Sequence, residues 1–327
     1  MQKGSTQIAL ILASLIISNI VVLVVSQGQL RVGFYSKSCP NAESIIRKVV
    51  QKAVADNPRN AAILLRLHFH DCFVQGCDGS ILIRNDEDVE LKAQGNLGVV
   101  GFDIIDSAKA RLENLCPGIV SCADIVSLAA RDAVSLVNGP FYDVPTGRRD
   151  GRVSKMSLAK NLPDVDDSIN VLKSKFKEKG LSDKDLVLLS GGSHTIGATA
   201  CFFMQKRLYN FTPGGGSDPA INPGFLPQLK DKCPFNGDVN VRIPLDWSTQ
   251  NVFDVKILRN IREGNAVIAS DARLYDDRMT RQIVDSYITS SAASFNQDFA
   301  EAMVKMGNIG AKTGSEGEIR RACNAVN

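Results

Sequence analysis

Residues 64–80 read LLRLHFHDCFVQGCDGS and hold two of the chain's three histidines, an arginine, two aspartates and two cysteines. On a helix over 60–73, Arg66 and His70 stand four residues apart and share a face, whereas His68 points elsewhere. A neutral imidazole beside a permanent cation resists protonation and is poised to accept a proton. A guanidinium stabilises negative charge growing on a nearby oxygen. Base and cation on one face therefore point to cleavage of a polar bond whose leaving group departs as an anion. His68 reads as a satisfied core imidazole. A zinc hydrolase built on His68, His70 and His194 is excluded, because helical positions i and i+2 cannot face one ion.

Directly behind the helix, Asp71, Asp78 and Ser80 supply oxygen, and a bridge between Cys72 and Cys77 would cinch the intervening loop. Such a loop can turn the carbonyls of Val74 and Gly76 inward, which suits calcium with its six to eight oxygen ligands. All eight cysteines, at 39, 72, 77, 116, 122, 201, 233 and 323, lie beyond residue 28. An even number predicts four disulfides, though sequence alone does not choose among the 105 possible pairings. Zinc is a poor alternative, since the 72-to-77 spacing is too wide for a CxxC knuckle and no second close pair completes a site.

Lys3 followed by the apolar and small-residue run from Ile8 to Val25 has the layout of a secretory signal. A signal anchor competes on length. No basic cluster follows the run, however, and Ser26 and Gly28 sit where cleavage enzymes prefer small residues. Residues 1–28 are therefore expected to be removed, leaving a single domain over 29–327 that starts near Gln29. The full chain carries +3, and loss of Lys3 leaves about +2, with no basic stripe to suit nucleic acid. The sequon Asn210-Phe211-Thr212 precedes PGGGSDP, a stretch that tolerates a surface glycan.

Helical periodicity recurs along the chain and strand alternation hardly appears. In NAESIIRKVVQKAVAD, residues 41–56, the apolar positions Ile45, Ile46, Val49, Val50, Ala53 and Val54 fall on one helix face. The same spacing joins Phe102, Ile105, Ala108, Leu112 and Leu115, and again Phe295, Phe299, Met303 and Met306. Ser121 with Asp124, and Ser182 with Asp185, resemble capping boxes, and Gly180 is placed to stop the helix before the second. SCADIVSLAARDAVSL is apolar around most of its circumference and reads as a central buried helix. Its Asp124 needs a partner, which Arg148 or Arg149 in GRRD can provide as a structural ion pair. With no repeat, linker or composition break, the expected fold is an all-α, mainly helical globule in two lobes with few short strands. His194, in LLSGGSHTIG, has no neighbouring histidine or carboxylate in sequence and by itself reads as a core residue.

Taken together, RLHFHDCFVQGCDGS, SCADIVSLAARDAV, VPTGRRDG, SHTIG and LDWSTQNVFD resemble the plant secretory (class III) haem peroxidases over essentially all of 29–327. The resemblance implies one haem b per chain, seated between distal and proximal halves, and two calcium ions. It makes Arg66, Phe69 and His70 the distal trio and His194 the proximal iron ligand. Asp271 is then the carboxylate on the far nitrogen of His194, and Asn96 the residue that orients His70, with Glu90 nearby in support. His70 would take a proton from hydrogen peroxide and return it to the departing oxygen while Arg66 stabilises the charge. Small phenolic donors would be oxidised at an exposed edge near Pro163. The first calcium would take Asp71, Val74, Gly76, Asp78 and Ser80, with Glu90 in support. The second would take Thr195, Asp246, Thr249, Val252 through its carbonyl, and Asp254. The implied disulfides join Cys39 to Cys116, Cys72 to Cys77, Cys122 to Cys323 and Cys201 to Cys233. A monomer glycosylated at Asn210, delivered to the plant cell wall or apoplast and free of stable membrane association after cleavage, completes the picture. The end four residues past Cys323, with no vacuolar-type tail, accords with that delivery.

The chain also departs from the family pattern. Gln75 stands in place of the usual Asn, Gly95 and Gln250 in place of common prolines, and Tyr142 in place of a frequent tryptophan, while Trp247 lies in the second calcium segment. The stretch from Asp185 to His194 is one residue longer than usual, which either a bulge absorbs or the iron ligand shifts to accommodate. A competing reading follows from that insertion: a secreted wall or matrix protein that keeps the fold and calcium but binds haem poorly. A disulfide-rich carbohydrate-binding protein is remote, since only 6% of residues are aromatic.

Overall fold

The computed structural model of the chain describes residues 29–327, so the apolar run at 8–25 and its expected cleavage lie outside the described residues. Helix α1, Ala42–Asp56, buries Ile46, Val49, Val50 and Val54 on the face their spacing predicts. It ends at Asn57, which turns extended ahead of Pro58, as the crowding of a residue before proline demands. Helix α2, Asn60–Val74, carries the sequence at issue and stops at Gln75. The next residue, Gly76, has φ +124, and a Cβ there would lie 2.7 Å from the backbone of Gly310, so no other residue fits.

Helix α3 spans Phe102–Leu115, and α4 spans Cys122–Leu136 with an unbroken buried stretch from Cys122 to Val134. Helix α4 packs against both α1 and α2 and is the centre of the larger apolar core. Ser121 caps it by accepting from the Asp124 amide, but the reciprocal half of the expected capping box is absent. The Asp124 carboxylate is instead spent on Arg148 Nη1 at 2.7 Å and on the Tyr35 hydroxyl at 2.6 Å. Arg148 also donates from Nε and Nη2 to the Gly307 carbonyl and from Nη1 to the Pro145 carbonyl, so each of its three nitrogens has a partner in this buried setting. Arg149 takes no part and donates to the Glu316 carbonyl.

Helix α5, Ile169–Glu178, gives way to Gly180 at φ +76, and α6, Asp183–Val187, opens on a complete capping box between Ser182 and Asp185. A π-helical turn, Leu188–Gly192, and a 3-10 turn, Ser193–Thr195, follow without a break. The only two strands among the described residues, β1 Ala198–Ala200 and β2 Arg242–Pro244, pair antiparallel with Ala200 opposite Arg242. Helices α7 Gln205–Tyr209, α8 Leu226–Lys232, α9 Lys256–Arg262, α10 Ala269–Arg273, α11 Arg278–Thr289 and α12 Ala292–Gly307 complete a mainly helical fold. A second, smaller apolar cluster gathers Met204, Leu208, Phe225, Leu229, Ile243 and Val267 around the sulfurs of Cys201 and Cys233.

Four disulfides join Cys39 to Cys116, Cys72 to Cys77, Cys122 to Cys323 and Cys201 to Cys233. Two of them close loops of 77 and 201 residues. Restricting the unfolded chain over such lengths contributes on the order of 4–5 kcal/mol each in the chain-entropy account. No described helix is long and apolar enough to cross a membrane.

Candidate active site

Helix α2 sets Arg66 and His70 on one face, and a single amide fixes what His70 can do. Its Nδ1 lies 2.7 Å from Asn96 Oδ1, while Asn96 Nδ2 donates to the Glu90 carbonyl at 2.7 Å. A carbonyl accepts only from the NH2 end of the amide, so Oδ1 must face the imidazole and Nδ1 must carry the hydrogen. The Nε2 lone pair is left open, as a base requires. Burial and then Arg66 push the His70 pKa down to about 3, opposed by the Asn96 bond, so the ring is neutral at ordinary pH. Burial and the neighbouring Arg242 bring Arg66 down to about 10, which leaves it a cation there, anchored to the Leu97 carbonyl at 3.2 Å. Phe69 stacks on Phe73 at 4.0 Å and meets the His70 ring edge-on at 5.8 Å, limiting its rotation.

His68 faces the opposite way, buried beside Cys72 Sγ at 3.5 Å and near Arg148. Burial, then Arg148, holds it neutral with a pKa of about 3. The sulfurs of Cys72 and Cys77 that lie close to it are joined to each other, so the three form no metal site. His68 is a core imidazole.

The extra residue before His194 is taken up by the π turn at Leu188–Gly192, the conformation that admits one more residue into a helical run. Two glycines let that turn pack closely. A Cβ at Gly191 would come 2.8 Å from Leu274 Cδ1, and one at Gly192 would come 3.2 Å from Phe295. Beyond the turn, His194 Nδ1 lies 2.8 Å from Oδ1 of the fully buried Asp271, on α10. A carboxylate there fixes Nδ1 as the protonated nitrogen, and again Nε2 is left open. The side chain of His194 is 31% exposed although its partner is sealed in, so its free edge is accessible.

Two groups of oxygens surround the histidines. Asp71 follows His70 directly, and its Oδ2 accepts from Gly79 N while its buried Oδ1 has no partner. Ser80 Oγ donates to Glu90 Oε1 at 3.0 Å, and the buried Oε2 of Glu90 is likewise orphaned. Burial and then Asp78 raise Asp71 to about 8, and burial and then Asp71 raise Glu90 to about 9. Orphaned buried carboxylate oxygens on two acids that raise one another's pKa are the chemistry a hard cation suits. Lys312 Nζ reaches Asp78 Oδ2 at 2.5 Å, and Lys179 Nζ reaches the Val74 carbonyl at 2.8 Å. In the second group Thr249 Oγ1 bonds both Asp246 Oδ2 and Asp254 Oδ2, and Thr195 Oγ1 reaches the Val252 carbonyl. These five residues, spread over 60 positions of sequence from Thr195 to Asp254, are joined by one chain of hydrogen bonds and are rich in hard oxygen.

Pro163 is half-buried beside Leu162, whose side chain lies 3.1 Å from where a Gly95 Cβ would be. Leu162 thus occupies the room beside Gly95, and Asn96 is completely buried and bonded on both sides. Asn210 is exposed, as a sequon asparagine must be to accept a glycan. Glu90, expected beside Asn96, meets it through its backbone carbonyl, which the sequence did not specify, and two further participants had no signal there: Asn260 Nδ2 donates to Asp246 at 2.9 Å, and Lys312 holds Asp78. Contacts by a carbonyl or by a residue 234 positions away leave no local pattern to read.

Residues 46–290 match the Peroxidase family. Peroxidase 43 of Arabidopsis thaliana is 60% identical over 307 residues, covering 93% of this chain and 94% of its own. Peroxidase 13 of the same plant is 61% identical, covering 92% and 94%. Peroxidase N1 of Nicotiana tabacum is 46% identical over 324 residues, covering 98% and 97%. A neutral imidazole beside an arginine, an imidazole backed by a buried carboxylate, and identity of this extent lead to one conclusion: the chain belongs to the peroxidase family, in its plant secretory (class III) branch.

Proposed function

We propose that the protein is a secreted haem peroxidase that reduces hydrogen peroxide and oxidises small phenolic donors one electron at a time. The carrying observation is the pair of imidazoles whose Nδ1 atoms are committed, to Asn96 and to Asp271, and whose Nε2 atoms are open. Bound haem supplies the redox centre that takes up the two oxidising equivalents of peroxide and returns them singly. His194 Nε2 would hold its iron, and the Asp271 carboxylate makes that nitrogen a stronger electron donor. His70 Nε2 accepts a proton from one oxygen of peroxide and delivers it to the other as the bond between them breaks. Arg66 stabilises the negative charge on the departing oxygen. Phe69 and Asn96 keep the imidazole aimed, and Pro163 lies at the rim where donors approach.

Asp71, Val74, Gly76, Asp78, Ser80 and Glu90 would hold one calcium ion, and Thr195, Asp246, Thr249, Val252 and Asp254 another. Each set includes the residue immediately after a catalytic histidine, so each ion braces the backbone that aims one ring. Residues 1–28 would direct secretion to the cell wall or apoplast, where Asn210 accepts a glycan and the mature chain acts as a monomer. The chain expressed with haem is expected to show a Soret band and peroxide-dependent oxidation of guaiacol, both lost in His194→Ala. A folded, colourless protein would refute the reading and favour the wall-protein alternative.

A further inference from the structure

Arg59, Arg66 and Arg242 converge on one side of the site with no acid among them. A groove between the start of α2 and the two-stranded sheet is lined by Arg59, Ala62, Ile196, Gly197, Arg242 and Asn251. It is narrow at its floor, where a Cβ on Gly197 would lie 3.0 Å from that of Ala62. From this groove Arg242, the first residue of β2, reaches toward Gly98. A Cβ on Gly98 would stand 3.3 Å from Arg242 Nη2 and 3.8 Å from Arg66 Nη1. The two guanidinium nitrogens are therefore no further apart than those distances added together. Both Arg59 and Arg242 are exposed, and neither side chain has an ion pair or hydrogen bond among the described residues.

Like charges held this close repel, and nothing in the described fold offsets that repulsion. Arg66 already spends Nη2 on the Leu97 carbonyl at 3.2 Å. Arg242 is the one that faces a second cation with its donors free, and a planar fork of donors is matched by a carboxylate.

We propose that Arg242, with Arg59 beside it in the groove, binds a carboxylate presented at the mouth of the active site. The inference rests on the peroxidase reading, which supplies two such groups: a propionate of the porphyrin and the acid group of a phenolic acid donor. In either case the anion relieves the repulsion between Arg242 and Arg66, so its binding also steadies the catalytic arginine.

The test uses purified holoprotein and the variants Arg242→Gln, Arg242→Lys and Arg59→Gln. Transfer of porphyrin to excess apomyoglobin gives the rate of cofactor loss. Absorption-difference titration with 4-hydroxycinnamate and with its methyl ester gives the affinity for a donor with and without the charge. A propionate at Arg242 predicts that Arg242→Gln speeds porphyrin loss about tenfold, with Arg242→Lys between it and wild type. A donor carboxylate predicts instead that 4-hydroxycinnamate binds about tenfold more weakly to Arg242→Gln while the ester is unaffected. Arg59→Gln should follow the same pattern at smaller size. Porphyrin loss and both titrations within twofold of wild type in Arg242→Gln would overturn the proposal. Failure of the peroxidase reading is seen separately, as a wild-type protein without a Soret band.

Discussion

Replacing Asn96 by alanine isolates the hydrogen bond that makes His70 a base. The substitution removes the Oδ1 acceptor 2.7 Å from Nδ1 and leaves a buried N–H without a partner. A hydrogen bond to a charged group is worth about 1 kcal/mol more than one between neutral groups. Its loss therefore lowers the basicity of Nε2 by somewhat under one pKa unit, taking about 1.4 kcal/mol as one unit. The ring also loses the partner that fixes its tautomer, since the amide that the Glu90 carbonyl orients is gone. Together these raise the barrier to proton transfer by about 2 kcal/mol, or roughly thirtyfold in rate. Stopped-flow absorbance of the Soret band against peroxide concentration, between pH 6 and 8, reads that rate directly. His70, with a pKa of about 3, is neutral throughout that range, so the change reflects reactivity and not the fraction of base present. Asn96→Asp should act in the opposite sense. A carboxylate at that distance favours the imidazolium and raises its pKa by about 1–3 units, moving the acid limb of the profile up to between about pH 4 and 6. A rate within twofold of wild type in Asn96→Ala, with haem fully bound, would remove Asn96 from the account of the base.

Calcium should tighten when Lys312 becomes methionine, because the ammonium no longer competes for Asp78 Oδ2; calorimetric titration of the chelator-stripped protein should give a roughly tenfold lower dissociation constant. Stripping the ions with EGTA should slow the peroxide reaction and lower the melting temperature together, and activity that survives complete removal would separate the cage at Asp71 from the base beside it. His68 and His70 are both depressed to about 3 in the fold against 6.5 unfolded, so the unfolded chain takes up more protons as pH falls from 6.5 to 3. Their stabilisation is complete above pH 6.5 and is lost below it, by up to about 1.4 kcal/mol per pH unit for each ring; urea unfolding of wild type and His68→Gln at pH 7 and 4.5 should show a shallower acid loss in the variant. Deleting Gly192 should convert the π turn to ordinary helix and leave the Soret band unchanged, whereas a lost band would mean that the extra residue positions His194.

Local pattern made much of this molecule legible. The apolar stripe of α1, the apolar circumference of α4, the face shared by Arg66 and His70, and the stop at Gly180 all rest on neighbours within a few turns, and the pairing of Asp124 with Arg148 followed from a lone acid in a buried helix. What local pattern could not supply was the second half of each contact. His194 looks solitary in sequence because Asp271, its partner, is 77 residues away, and only the family resemblance pointed to it. The capping box at Ser121 failed for a related reason: a buried arginine outcompeted a backbone amide for the same carboxylate. The insertion before His194 was visible as a length, but its consequence was not. A π turn resolves it only because Gly191 and Gly192 accept Leu274 and Phe295 where side chains would otherwise clash.

The bond between Cys122 and Cys323 ties the first residue of the most buried helix to a cysteine 201 positions later. Synthesis runs from the amino end, so this thiol at the heart of the molecule waits unmatched until Cys323 has emerged. Throughout that interval any earlier sulfur within reach is a rival mate. A chain cut short before residue 323 lacks that native mate altogether, so in an oxidising folding compartment its Cys122 is left either free or wrongly paired.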